Sequence, residues 1–293
     1  MSTEAEWKHE QDTDTTSQES AMTSKHDETV SPAVDAEEQG DDVALRLNGL
    51  TKRFGRTTAV EDISYTVQRG SFSSIVGPNG AGKTTTLSMI SGLLPPSSGS
   101  VEVLGDDVWR DRQAAQQRIG TLPDRLRMFE QLTGAQYLSY VGSIRGLKKQ
   151  EVLERTENLI DAFDLRDNVN RLVVDYSSGL RKKLGLAATL IHNPELLVLD
   201  EPLDAIDPVS ANTIVEVLET FTERGGTVLL SSHSMDFVQR VCDHIAVIVD
   251  GQLIAEGDMD EVRGELTLEE RFRHIVRGPE ESEGLDWLDI SFR

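Results

Sequence analysis

The sequence predicts an α/β fold with a parallel sheet at its centre and a smaller antiparallel β region beside it. Apolar runs lie at residues 72–76 and 196–199, and the second is typical of a strand buried on both faces of a parallel sheet. Three other segments, at residues 44–47, 63–67 and 101–103, alternate apolar and polar residues. This alternation predicts half-buried antiparallel strands.

The second half of the chain predicts a helical region and then further strands. Residues from about 126 to 191 are mostly helical in pattern, and apolar runs at 227–231 and 245–249 predict strands. Asp250 and Gly251 follow the last run and form a hairpin signal.

A glycine-rich loop lies between the first apolar run and a helical pattern. Its residues are Gly77, Pro78, Asn79, Gly80, Ala81, Gly82, Lys83 and Thr84, with Thr85 next in the helix. They match the G-x-x-x-x-G-K-[ST] pattern of a phosphate-binding loop. Glycines let the backbone N–H groups converge on phosphate oxygens, while Lys83 supplies a cation and the Thr84 hydroxyl is placed to ligate Mg²⁺. The order of strand, loop and helix favours this interpretation over a chance glycine-rich turn.

The second apolar run ends in Asp200, Glu201 and Pro202. Parallel sheets bind ligands at the carboxyl ends of their strands. We therefore expect Asp200 to face a magnesium ion and Glu201 to face the attacking water. A strand ending in a solvated acidic turn is the alternative, and the phosphate loop favours the catalytic interpretation.

A second predicted anion site lies between these motifs. Ser177, Ser178 and Gly179 stand at the expected N-terminus of a helix, where hydroxyl groups and free backbone N–H groups can bind an anion. The alternative is that Ser177 or Ser178 serves only as a helix N-cap.

Taken with Asp207 and His233, the order of these motifs resembles the nucleotide-binding subunit of ATP-binding-cassette (ABC) transporters. The resemblance covers residues 43–263 and rests on five motifs in the family's order. It implies a P-loop NTPase (RecA-like) core with an antiparallel β subdomain and an inserted helical subdomain at about residues 126–191. It also implies ATP and Mg²⁺ as cofactors.

The resemblance also implies roles for single residues. Phe54 matches the aromatic residue on which adenine stacks, residues 176–180 match the signature motif, and Asp207 matches the D-loop acid. His233 matches the switch histidine, which acts with Glu201 in catalysis. Two such domains pair head to tail, so each ATP lies between the phosphate loop of one chain and the signature of the other.

Two positions depart from the commonest family pattern. The signature reads Tyr-Ser-Ser-Gly-Leu where many members have Leu-Ser-Gly-Gly-Gln, but the serine and the last glycine are retained. Asp124 stands where the family usually carries glutamine, or glutamate in many export-type members. We expect Asp124 to reach Mg²⁺ through a water, and the alternative is a turn residue after Pro123 with no metal role.

The charge of the chain is uneven. Residues 1–42 carry 13 acidic side chains against Lys8 and Lys25, a net charge of −11 within the total of −22. This composition predicts a disordered acidic tail that acts as a solvated tether rather than a docking arm. Residues 43–263 have a net charge of −7, which argues against nucleic-acid binding.

Residues 264–293 form a predicted acidic C-terminal extension with an apolar tip, which either caps the core or contacts a partner. Every apolar stretch is much shorter than the about 20 residues needed to span a bilayer. The acidic N-terminus does not resemble a secretory signal. A membrane role would therefore require separate subunits.

The sequence thus predicts a Mg²⁺-dependent ATPase that pairs with itself or another ABC ATPase. It would drive separate transmembrane permease subunits from the cytoplasmic face of the cell membrane, and the resemblance implies export as the direction of transport. The alternative is a soluble ABC-type ATPase in cluster assembly or another process without transport.

Overall fold

The computed structural model describes residues 42–204 and 206–277. The predictions for the acidic tail and for the apolar tip of the C-terminal extension fall outside these residues. None of the helices in the described ranges is long and apolar enough to cross a membrane.

The described residues form the following strands and helices in chain order. The strands are β1 (Val43–Phe54), β2 (Thr57–Gln68), β3 (Phe72–Val76), β4 (Ser98–Val103), β5 (Asp106–Asp107), β6 (Ile119–Leu122), β7 (Leu196–Asp200), β8 (Thr227–Ser231), β9 (His244–Val249) and β10 (Gln252–Asp258). The helices are α1 (Lys83–Ile90), α2 (Arg112–Arg118), α3 (Gly134–Ile144), α4 (Lys149–Ala162), α5 (Ser178–Leu190), α6 (Pro208–Glu223), α7 (Met235–Val241), α8 (Met259–Arg263) and α9 (Leu268–Arg277), with a 3₁₀ turn at Val173–Asp175.

The larger sheet has the strand order β10-β9-β3-β8-β7-β6. Its strands are parallel from β9 to β6, and β10 pairs with β9 in antiparallel orientation. Every residue of β3, β7 and β8 is buried, which accounts for their continuous runs of apolar and small residues. Because β3, β7 and β8 are parallel, their carboxyl ends lie at the same edge of the sheet.

The smaller sheet has the order β2-β1-β4-β5 and is antiparallel, as the alternating segments predict. Its inward side chains, such as Leu45 and Leu47, share one apolar cluster with Ile75 of β3, Leu87 of α1 and Val198 of β7. This packing fixes the β1–β2 hairpin beside the segment that joins β3 to α1.

Helices α3, α4 and α5 form the predicted helical region. Leu138, Ile160 and Leu184, one from each helix, lie in the second apolar cluster with residues of β7 and β8. Regular helix starts later than the pattern suggests, at Gly134. The reason is a capping box, in which Thr133 accepts from the Gln136 backbone and the Gln136 side chain accepts from the Thr133 backbone.

Candidate nucleotide-binding site

The loop between β3 and α1 requires glycine at two positions for steric reasons. A Cβ atom on Gly77 would collide with the carbonyl oxygen of Ile248, and one on Gly82 would lie 2.5 Å from the carbonyl oxygen of Ala59. Gly82 also has a φ of 107°, which side-chain-bearing residues rarely adopt. The surrounding strands thus hold the loop against the start of α1.

Lys83 is the first residue of α1 and is almost fully buried. Its Nζ donates to the carbonyl oxygens of Gly77 at 2.7 Å and Pro78 at 3.2 Å. Burial lowers the pKa of Lys83, while the carboxylates of Glu201 and Asp200 act in the opposite direction. The ammonium group therefore lies inside the loop and within the field of two acids that are distant in sequence.

A cavity of about 490 Å³ lies over this loop. Its lining brings together residues from several separate motifs: Ala59, Asn79, Gly80, Ala81, Gly82, Lys83, Thr84, Thr85, Asp124, Glu201, Asp204 and His233. The structure thus brings the phosphate loop together with Asp124, Glu201 and His233, which lie roughly 40 to 150 positions further along the chain. Sites at the carboxyl ends of parallel strands gather distant residues in this way.

Asp200 ends strand β7 and is 5% exposed. Ser231, its register partner on β8, donates from its hydroxyl to Asp200 Oδ1 at 2.6 Å. The same hydroxyl accepts from the backbone N–H of Glu201 at 3.0 Å. One serine on the neighbouring strand therefore orients both acids.

Glu201 has a φ of 47°, in the left-handed region. Its Oε2 lies 2.9 Å from Nδ1 of His233 and also accepts from the His233 backbone N–H at 3.3 Å. The Glu201 side chain is mostly covered, whereas that of His233 is largely exposed. His233 Nε2 is 3.8 Å from Asp204 Oδ1. The two predicted catalytic residues are therefore in direct contact.

An oxygen-rich group suited to Mg²⁺ lies next to the cavity over the phosphate loop. Thr84, Asp124 and Asp200 line an adjoining space of about 240 Å³. Mg²⁺ prefers hard oxygen ligands and is usually held by one or two carboxylates together with substrate phosphates. Thr84, Asp124 and Asp200 offer such oxygen atoms, so these donors fit an Mg²⁺ ion that is held together with substrate phosphates.

The signature residues lie apart from the phosphate loop. Ser177 is the N-cap of α5 and accepts from the Leu180 backbone N–H at 3.3 Å, as the capping interpretation predicts. Asp207 caps α6 and accepts from the Ser210 backbone N–H, which lowers the pKa of Asp207. A Cβ on Gly179 would lie 3.4 Å from Asp207 Oδ2, so the two helix N-termini adjoin. The described residues that line the cavity over the phosphate loop do not include Ser177, Ser178, Gly179 or Asp207.

Phe54 lies at the end of β1, opposite Thr57 in the β1–β2 hairpin, and is 50% exposed. Lys52 Nζ is 5.2 Å from the centroid of its ring. The ring does not line the cavity over the phosphate loop, but Ala59 of the same hairpin does. The structure thus places Phe54 on the hairpin that borders the cavity, with one face available.

Sequence reasoning missed Lys182. It lies on α5 and is 9% exposed, and its Nζ donates to the carbonyl oxygen of Glu201 at 2.5 Å. A signal was present, because Lys182 is three residues from Gly179 and four from Leu186, all on the buried face of the helix. A charged residue on a buried helical face requires a polar partner.

The phosphate loop, the Asp200–Glu201 pair and the helical region on a parallel sheet define a P-loop ATPase of the cassette type. A family model described as ABC transporter matches residues 60–204. The linearmycin resistance ATP-binding protein LnrL of Bacillus subtilis (strain 168) is 36% identical over 213 residues, which cover 73% of this chain and 68% of the relative. The daunorubicin resistance ATP-binding protein DrrA3 of Streptomyces coeruleorubidus is 38% identical over 224 residues, covering 76% and 71%.

A solved structure of an ATP-binding subunit of an ABC transporter superposes with a TM-score of 0.75 at 25% identity, covering 79% of this chain and 99% of that chain. The chain therefore belongs to the family of ABC transporter ATP-binding proteins. The predicted P-loop NTPase fold and the predicted ATPase activity are confirmed. The relatives support a transporter subunit rather than the alternative of a soluble cluster-assembly ATPase.

Proposed function

We propose that this chain is the Mg²⁺-dependent ATPase subunit of an export-type ABC transporter and that it works as a head-to-tail dimer. The observation that carries the dimer is the separation of two groups. The phosphate-loop group comprises residues 77–85, Asp124, Asp200, Glu201 and His233, and the signature group comprises Ser177, Ser178, Gly179 and Asp207. One chain presents both groups at different places, so a second copy is needed to bring a signature to each phosphate loop.

Export is the direction that the relatives favour. LnrL and DrrA3 are named for resistance to toxic compounds, and a transporter confers resistance when it moves such a compound out of the cell. The described residues of this chain offer no membrane span. Separate permease subunits would therefore form the transport pathway and hold this chain at the cytoplasmic face of the membrane.

In the proposed mechanism Glu201 accepts a proton from the attacking water, or orients it, while His233 holds the Glu201 carboxylate and contacts the γ-phosphate. The water oxygen forms a bond to the γ-phosphorus as the bond to the oxygen of the departing ADP breaks. Lys83 and the loop amides stabilise the charge on the transferred group, assisted by Ser177 and Gly179 of the second copy.

Thr84, Asp200 and, through a water, Asp124 would hold Mg²⁺, which when bound neutralises charge on the phosphates. Phe54 would stack on the adenine. Residues 43–263 would constitute the catalytic cassette, with the acidic segments 1–42 and 264–293 flanking it.

The test uses Glu201→Gln, which keeps the shape of the side chain but cannot accept the proton. We expect turnover to fall about 10²- to 10⁴-fold while ATP binding is retained, so that ATP traps a closed dimer. Size-exclusion chromatography with MgATP measures the dimer, and Lys83→Ala, which should not bind ATP tightly, is the matched control. A monomeric Glu201→Gln profile at high protein and MgATP concentrations would contradict the proposal.

A further inference from the structure

We propose that Lys182 is a positioning residue for Glu201 and that it connects the signature helix α5 to the phosphate-loop site of the same chain. The inference rests on the proposed function, because the catalytic role of Glu201 belongs to that proposal. Nothing in the motif pattern or in the comparisons assigns this role to Lys182.

The backbone conformation of Glu201 requires support from its neighbours. Its φ lies in the left-handed region, which is unfavourable for a residue with a side chain, so neighbouring contacts must hold it. The N–H of Glu201 donates to Ser231 on β8 at 3.0 Å, and its carbonyl oxygen accepts from Lys182 at 2.5 Å. The same carbonyl also accepts from the backbone N–H of Asp204 at 3.3 Å, within the turn after β7. Side chains of two other elements, β8 and α5, thus bind the backbone of Glu201.

Acidic side chains surround the ammonium group of Lys182. Burial is the main influence on the pKa of Lys182 and lowers it. Four carboxylates raise it in return, and they belong to Asp124, Asp204, Glu201 and Asp200. The Lys182 ammonium group therefore lies in the field of the carboxylates at the phosphate-loop site.

Lys182 shares its helix with the residues of the signature. Ser177 caps α5 and Gly179 lies in its first turn, so the proposed signature contacts and Lys182 belong to one rigid element. When a nucleotide bound by the second copy draws the N-terminus of α5 towards it, Lys182 would move with the helix. The hydrogen bond from Lys182 would then pass this movement to the Glu201 carbonyl. Lys182 is therefore placed to make the geometry of Glu201 depend on engagement of the signature.

Lys183 provides a matched control. It lies next to Lys182 on the same helix and is similarly buried, but its Nζ is 3.9 Å from Asp164 Oδ2, and its described contacts do not include Glu201. Lys183→Met removes a buried lysine from α5 as Lys182→Met does. Comparing the two separates a general effect on folding from a specific effect on Glu201.

The experiment measures kcat and KM for ATP, together with melting temperature, for Lys182→Met, Lys182→Arg and Lys183→Met in the full chain. We expect Lys182→Met to lower kcat about 10- to 100-fold, as loss of a supporting residue typically does, with KM nearly unchanged. Lys182→Arg should recover most of kcat because it restores a charged donor. Lys183→Met should keep kcat near that of the unaltered chain. If Lys182→Met does not fold, Lys182→Gln replaces it.

A double variant gives the decisive comparison. If Lys182 acts through Glu201, adding Lys182→Met to Glu201→Gln should cause little further loss in single-turnover hydrolysis. An equal fractional loss in both backgrounds, or equal kcat values for Lys182→Met and Lys183→Met, would overturn the inference. Unchanged turnover in Glu201→Gln alone would instead overturn the proposed function.

Discussion

The phosphate-loop group and the signature group differ in how completely one chain assembles them. The first gathers residues from the loop after β3, the ends of β7 and β8, and Asp124 around adjoining cavities. The second consists of two adjacent helix N-termini, those of α5 and α6, whose polar side chains cap their own helices. Asp200 and Glu201 are bound by residues of other elements, whereas Ser177 and Asp207 bond to residues three positions away.

The two groups therefore differ in what they need in order to function. The residues of the phosphate-loop group are held in place by hydrogen bonds within one chain. The signature group offers N–H groups and hydroxyls near a surface, and its proposed role requires a second copy. Variants of the phosphate-loop group should therefore impair the nucleotide site on the phosphate loop of the same chain. Variants of the signature group should impair the nucleotide bound by the partner chain.

The largest effect on nucleotide binding is expected from Gly82→Ala. The new Cβ would lie 2.5 Å from the carbonyl oxygen of Ala59, so either the loop or the β1–β2 hairpin must move. We expect ATP affinity to fall at least about 100-fold, since the loop amides would no longer converge on the phosphates. Equilibrium binding of a fluorescent ATP analogue measures this.

Gly225→Ala is the control for Gly82→Ala. Gly225 also has a positive φ, of 89°, but a Cβ there would meet no heavy atom within 4 Å. It should lower the melting temperature slightly and leave ATP affinity unchanged. ATP affinity in Gly82→Ala equal to that of the control would show that the close approach does not shape the phosphate site.

A smaller effect is expected from Asp124→Asn, which keeps the shape of the side chain and removes its charge. Asp124 lines the space shared with Thr84 and Asp200, where an outer ligand of Mg²⁺ would lie. Loss of such a ligand typically costs about 10- to 100-fold. We expect a higher Mg²⁺ concentration for half-maximal activity and a smaller loss of turnover than in Glu201→Gln.

A Mg²⁺ titration of both variants checks this prediction. An unchanged Mg²⁺ dependence in Asp124→Asn would favour the turn interpretation of this residue. Inactivation as deep as that of Glu201→Gln would mean that the proton acceptor has been assigned to the wrong carboxylate.

Local patterns made much of this architecture predictable. The phosphate loop combines fixed spacing with a strand before it and a helix after it, and all three can be read from neighbouring residues. Strands β7 and β8 are continuous apolar runs because both faces of the sheet are covered. The capping box at Thr133 was also present as a local pattern, so the true start of α3 could have been found.

The contacts that orient Glu201 could not be predicted in the same way. Lys182 lies 19 residues from Glu201, and Ser231 lies 30 residues from it, so neither contact follows from spacing along the chain. They depend on how α5 packs into the apolar cluster that also holds residues of β7, and on the register of β7 with β8. Only three-dimensional packing decides which lysine of the run after the signature reaches the site.

The most direct test of the central claim, that each nucleotide site combines two chains, is to mix two inactive variants. Lys83→Ala disables the phosphate loop but keeps the signature, and Ser177→Arg blocks the signature but keeps the phosphate loop. The account predicts that each variant alone has little ATPase activity and that an equal mixture recovers up to about a quarter of normal activity, because half of the random dimers contain one intact site. Full activity of Ser177→Arg alone, or no recovery from a mixture of two folded variants, would contradict it.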